Sequence, residues 1–208
     1  MEEPTLDPQT IKQAACEAAL LLTEAIRELT IPQHLMTCAA QLEETQRVSA
    51  TYAAAIRRIV MTATVIGVYR VNETRKHFLT PWLFSEDELR QLGLPNIEHF
   101  VRDWGAFETV RSQWAAHAQA KKSTALNPGR LIEPSALGRA LERTGIGNED
   151  EFLRRVRDEL TPAVERVRDK ILETHAEARD FITTRYPQAL QQGAIDEERR
   201  RVTGRGDR

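Results

Sequence analysis

The stretch Arg111-Ser112-Gln113-Trp114-Ala115-Ala116-His117 sets an arginine and a histidine close together in a segment of helical character. A guanidinium holds a phosphate bidentately and stabilises charge developing on it, whereas an imidazole titrates near neutrality and passes protons. Together they suit chemistry on a phosphodiester. Ala115 and Ala116 leave space beside the imidazole. Positions six apart on an ideal helix are turned by about 600°, which leaves the two side chains about 120° apart around the axis. One subunit therefore does not stack them on one face, but two subunits crossing at this segment would pool both pairs. His117 and Lys121 do share a face, and Lys121, Lys122 and Arg130 could hold backbone phosphates beside them. The alternative reading makes Arg111 a surface ion-pair residue and His117 a helix-end residue favoured by the C-terminal dipole.

A second pair, Arg70 and His77, lies seven apart and so nearly on one face, with Asn72, Glu73 and Arg75 between. Glu73 competes there for an arginine in an ordinary ion pair. His99 and Asp103 share a spacing of four, yet no further ligand is signalled, so no metal is expected. No Gly-rich phosphate loop, nucleophile elbow, paired CxxC or HExxH occurs, and no cofactor is expected.

Arg111, the polar Ser112 and His117 resemble the motif of the HEPN superfamily of helical bundles, in which the histidine follows the arginine after four to six intervening positions. Ser112 stands where the family often has Asn, Asp or His. The order of elements over roughly residues 35–175 is similar to AbiU2-like HEPN proteins: a long helix pair, a motif helix, a basic loop and a further long helix. The resemblance implies metal-independent RNA cleavage, with His117 as acid/base, Arg111 as phosphate ligand and Ser112 in support. It also implies a site assembled from two motifs across a homodimer, and a toxin or antiphage setting in which an antitoxin or other protein restrains the activity. The rival reading is a non-catalytic helical interaction module binding a protein or nucleic acid. A bundle sensing a small molecule comes third.

The elements that position these residues read as helices throughout, giving an all-α, up-and-down bundle of long antiparallel helices with additional short ones. Asp7-Pro8 supplies a cap and a first-turn proline, and Ile11, Ala15, Ala18, Leu22, Ile26 and Leu29 recur at helical spacing, which predicts a helix over 8–29. Thr30-Ile31-Pro32 reads as a second start, with few breakers as far as Pro81 and Gly67 as the weak point. Ser85 to Glu88 forms a capping box, and Gly93 closes that short helix. A central core helix is expected from about Pro95 to Lys122, carrying Ile97, Phe100, Val101, Trp104, Phe107, Val110 and Trp114. A loop over 123–132 and a short helix from Glu133-Pro134 to Gly145 follow. Asn148 then caps a helix bearing Phe152, Val156, Leu160, Val164, Val167 and Ile171, bent at Pro162, before a last piece over 176–192.

Residues 1–192 read as one helical domain and 193–208 as a flexible tail, arginine-rich because five arginines meet one aspartate from Arg199 onward. The balance of 29 basic against 31 acidic residues excludes a bulk nucleic-acid binder, so any RNA contact must be local. Cys16 and Cys38 suit small buried side chains better than a disulfide. The N-terminal apolar run follows acidic residues, unlike a secretory signal. The apolar segment 59–69 is far shorter than the roughly 20 residues that cross a bilayer. No membrane association and a cytoplasmic location are therefore expected.

Overall fold

A computed structural model describes residues 7–45, 49–101, 104–111 and 148–185, and the fold is all-α, with no strand among the described residues. Helix α1 runs from Pro8 to Glu44. Asp7 caps it, one carboxylate oxygen accepting from the Gln9 amide at 3.3 Å and the other from the Thr10 hydroxyl at 3.1 Å. Its buried face is Ala15, Ala18, Ala19, Leu22, Ala25, Ile26 and Leu29, whose alanines let a second helix approach closely. The helix does not restart at Thr30-Ile31-Pro32 but passes through it. A residue before proline is biased away from helical backbone without being barred from it, and here the helix continues.

The interruption comes later. Helix α2, Ala50–Thr74, begins at Ser49, whose hydroxyl accepts from the Tyr52 amide. Gly67 meets Leu29, and Arg70 meets Glu24 and Glu28, so α1 and α2 run antiparallel. Gly67 is therefore no bend: a Cβ there would stand 2.8 Å from Leu29 Cδ2 and 3.0 Å from Glu28 Cβ. The glycine is where the two backbones come closest. Arg70 fixes the same junction, donating to Glu28 at 2.8 and 3.0 Å and to Glu24.

Beyond Thr74 the chain continues as a π-helical segment, Arg75–Leu83, that contains Pro81 and ends with the Phe84 amide donating to Leu79 at 2.9 Å. A widened turn relieves the clash between a proline ring and the carbonyl four residues back. Helix α3, Glu86–Gln91, has the expected capping box: Ser85 accepts from the Glu88 amide while Glu88 accepts from the Ser85 amide at 2.8 Å. Gly93, at φ +79°, closes it, with Gly93 donating to Arg90 and Leu94 to Leu89. Arg166 reaches the freed Leu92 carbonyl at 2.8 Å.

The single central helix expected from Pro95 is instead divided. Helix α4, Ile97–Phe100, is capped by Asn96 and ends at Val101, and α5 runs from Trp104 to Val110. Ile97, Phe100, Val101 and Phe107 are all buried, so the apolar pattern is satisfied by two short pieces. Helix α6, Glu149–Arg155, starts at Asn148, which accepts from the Glu151 amide at 2.9 Å. It passes through a π-helical segment, Val156–Leu160, into α7, Thr161–Thr174, and α8, Ala176–Arg185, follows. The register shift sits just before Pro162, and the Thr161 hydroxyl donates to the Val156 carbonyl at 2.9 Å. Phe152, Val156, Leu160, Val164, Val167 and Ile171 are all fully buried against α1 and α2, as their spacing predicts.

Salt bridges tie these layers at the surface. Arg57 of α2 meets Glu149 and Asp150 at 2.7 Å each, and Lys12 of α1 meets Glu177 of α8 at 2.8 Å. Among the described residues no helix is long and apolar enough to cross a membrane.

Candidate functional site

Arg111 follows α5 directly, and its side chain folds back onto α2. The guanidinium carbon lies 4.0 Å from the centroid of the Tyr69 ring. Such a contact contributes on the order of 0.5–2 kcal/mol, depending on how much water is excluded. Tyr69 in turn stacks on Trp104, with centroids 5.6 Å apart and planes 16° from parallel. Trp104 leans on Phe107 at 5.5 Å, and Phe107 on Phe152 at 6.0 Å. The four rings therefore run from a half-buried edge into the core, because Phe107 and Phe152 are fully buried whereas Tyr69 and Trp104 are not. An arginine placed on this column is held by a rigid support that itself has little freedom to move.

A second cation borders the column. The Lys76 ammonium is 5.8 Å from the Trp104 ring centroid and 2.6 Å from a Glu98 carboxylate oxygen. The hydrogen bond with Glu98 raises the Lys76 pKa, and the same bond, with a smaller contribution from Asn72 nearby, lowers that of Glu98. Both groups are thus held in their charged forms. Arg111 differs: among the described residues no carboxylate stands within ion-pair distance of it. Among the described residues its donors meet no anion, unlike those of Arg57, Arg70, Arg75, Arg155 and Arg157, which all meet carboxylates, and in this it resembles Arg185, which lies 5.3 Å from the Phe181 ring centroid.

The other members of the motif, Ser112 and His117, and the basic residues Lys121, Lys122 and Arg130 lie outside the described residues. The second-ranked pair is placed. Arg70 spends its guanidinium on Glu24 and Glu28 of α1, while His77 Nε2 meets Glu73 at 3.4 Å from a side chain that is 65% exposed. Arg70 thus acts as a clamp between helices, and the expected competition from Glu73 falls on His77 instead of on an arginine.

His99 is exposed, Asp103 lies outside the described residues, and no group of three or more His, Cys, Asp or Glu side chains among the described residues is arranged to hold a metal. Both cysteines are free. Cys16 is half-buried, and burial first, with Glu177 and Glu17 behind it, pushes its thiol pKa up. Cys38 is exposed, contrary to the expectation of a buried side chain: it lies on a face of α1 turned away from the core.

Tyr69, Lys76 and Glu98 carry no local pattern that marks them as neighbours of the motif. Tyr69 sits in the most apolar run of the chain and reads simply as core, and its contact with Arg111 is long-range. Comparison of the chain with protein-family models, with curated proteins and with solved structures gives no match.

Proposed function

We propose that this protein is a HEPN-like, metal-independent ribonuclease of toxin or antiphage type, working in the cytoplasm at a site completed across a homodimer. The observation that carries the reading is the state of Arg111: its guanidinium is braced on the Tyr69 ring, and no carboxylate among the described residues neutralises it. That is the condition an arginine needs to receive a phosphate. In the proposed reaction the ribose 2′-oxygen attacks phosphorus as its proton passes to a base. The bond from phosphorus to the 5′-oxygen breaks, and the leaving oxygen takes a proton. The products are a 2′,3′-cyclic phosphate and a 5′-hydroxyl. His117 moves the protons and Arg111 neutralises charge on the phosphoryl oxygens, with Ser112 in support. Lys121, Lys122 and Arg130 hold flanking phosphates of the RNA.

Because Arg111 and His117 diverge around a helix, the dimer holds one composite site that pools both pairs, one His117 taking the 2′ proton and the other supplying the leaving-group proton, so loss of either His117 silences it. RNA cleavage in EDTA, followed as wild type is diluted with His117→Ala at constant total protein, tests this. Activity proportional to the square of the wild-type fraction is expected. A decline in simple proportion to that fraction, or the same rate in pure His117→Ala as in wild type, would contradict it.

A second reading has its own support. Ile31, Leu35, Tyr52 and Ile59, at 49, 45, 55 and 61% exposed, lie in the C-terminal half of α1 and the N-terminal half of α2. Large exposed apolar side chains favour an interaction module that binds an antitoxin or another protein partner. A stable complex with a protein partner, together with no RNA cleavage, is the outcome this reading expects.

A further inference from the structure

A cavity of about 530 Å³ opens where the π-helical segment 75–83, α3, α4 and α6 meet. Small-molecule sites commonly fall between roughly 300 and 1,000 Å³. Three arginines stand in its wall, Arg75, Arg90 and Arg155, together with Glu86, Glu159 and the apolar pair Leu94 and Pro95.

Arg75 is only 7% exposed. One of its terminal nitrogens pairs with Glu86, but its buried Nε finds no acceptor. A buried donor without a partner is costly, and for a charged group more so. Arg155 is fixed from three sides: it donates to the Phe100 carbonyl at 3.2 Å, lies 4.4 Å from the Phe100 ring centroid and meets Glu159 at 3.4 Å. Arg90 is held loosely. Among the described residues its one carboxylate contact is Asp87 at 2.7 Å, and both side chains are about three-quarters exposed, so that pair contributes little and is easily exchanged.

The two acidic residues of the wall already serve Arg75 and Arg155. A cationic ligand would find three guanidiniums and no free carboxylate there. An anion would find a rigid arginine and a movable one in front of the buried Arg75, with Leu94 and Pro95 to receive a carbon skeleton. We propose that this cavity binds a small organic oxyanion, its phosphate or carboxylate head on Arg90 and Arg155 in front of Arg75, and its body against Leu94 and Pro95. The site does not depend on Arg111 or on ribonuclease activity.

Calorimetric titration of the full chain with ribose 5-phosphate, citrate and inorganic phosphate, each at the same ionic strength in chloride buffer, tests the proposal. Either organic anion should bind more tightly than inorganic phosphate, because only it covers the apolar wall. Arg90→Gln should weaken that binding by about tenfold, the loss of one charge-assisted contact. A phosphate ester preferred over citrate, or the reverse, identifies the head group. Arg155→Gln is expected to weaken binding similarly; if it does not fold, Arg90→Gln decides alone. No heat from either organic anion up to about 10 mM, or equal affinity in Arg90→Gln and wild type, would overturn it.

Discussion

Replacing Gly67 by alanine sets two opposed effects against each other. In the interior of α2 alanine is preferred to glycine by about 1 kcal/mol, because it loses less backbone entropy and shields the backbone. The added methyl, however, would stand 2.8 Å from Leu29 Cδ2, 3.1 Å from Leu29 Cγ and 3.0 Å from Glu28 Cβ. Ordinary carbon contacts lie near 3.5–4.0 Å, so the neighbours must retreat by several tenths of an ångström. Leu29 is fully buried, and Glu28 is tethered through its carboxylate to Arg70, so neither yields freely. Overpacking of this kind costs about 1–3 kcal/mol. The net expectation is a loss of about 1 kcal/mol, or a melting temperature lower by about 2–4 °C for a chain of this size. Urea unfolding followed by circular dichroism reads the change directly. Trimming the nearest obstacle supplies the control: in a Leu29→Ala background the contacts at 2.8 and 3.1 Å are gone and Glu28 Cβ at 3.0 Å remains, so Gly67→Ala should cost less there, by up to about 1 kcal/mol. Gly67→Ala at least as stable as wild type, or the same cost in both backgrounds, would refute the close-approach argument.

Tyr69→Leu should lower RNA cleavage by up to about tenfold by releasing the Arg111 guanidinium, whereas Tyr69→Phe keeps the ring and stays within about twofold; equal rates for the two variants would remove the column from the site. Asn148→Ala should destabilise the chain by about 1 kcal/mol in a urea titration, because the Glu151 amide loses its cap. The Lys76–Glu98 pair makes a signed pH prediction. Glu98 has a lowered pKa, so its contribution is present above the ordinary glutamate range and is lost as pH falls through the depressed value. Lys76 has a raised pKa, so its contribution is present below the ordinary lysine range and is lost as pH rises through the elevated value. The gap in urea midpoint between wild type and Lys76→Met should therefore be flat through neutrality and close at both extremes; a gap independent of pH would contradict the pairing.

Where local chemistry decides structure, the chain is legible. Asp7, Ser85 and Asn148 all accept amide protons as their positions suggest, and Gly93 takes the positive φ that a helix end demands. The buried stripe from Phe152 to Ile171 follows from spacing alone. Pro32 and Ser49 show the limit. A proline and a serine each mark helix starts, yet the chain passes the first as continuous helix and begins a new helix at the second. The apolar run from Ile97 to Phe107 carries a helical period that two short helices satisfy as well as one. At the site, Arg111 was legible as a residue type in a motif, but its support was not. The Tyr69 ring beneath it and the Arg155 contact with Phe100 are made by residues distant in sequence, and no local pattern encodes such meetings.

The most direct test of the proposed function is the initial rate of RNA cleavage in EDTA for wild type, Arg111→Ala and His117→Ala at equal melting temperature, with the product ends identified. Wild type should leave 2′,3′-cyclic phosphates, and each variant should be slower by about 100-fold or more. Cleavage at wild-type rate by both variants, or none by the wild-type dimer, would contradict a ribonuclease built on Arg111 and His117.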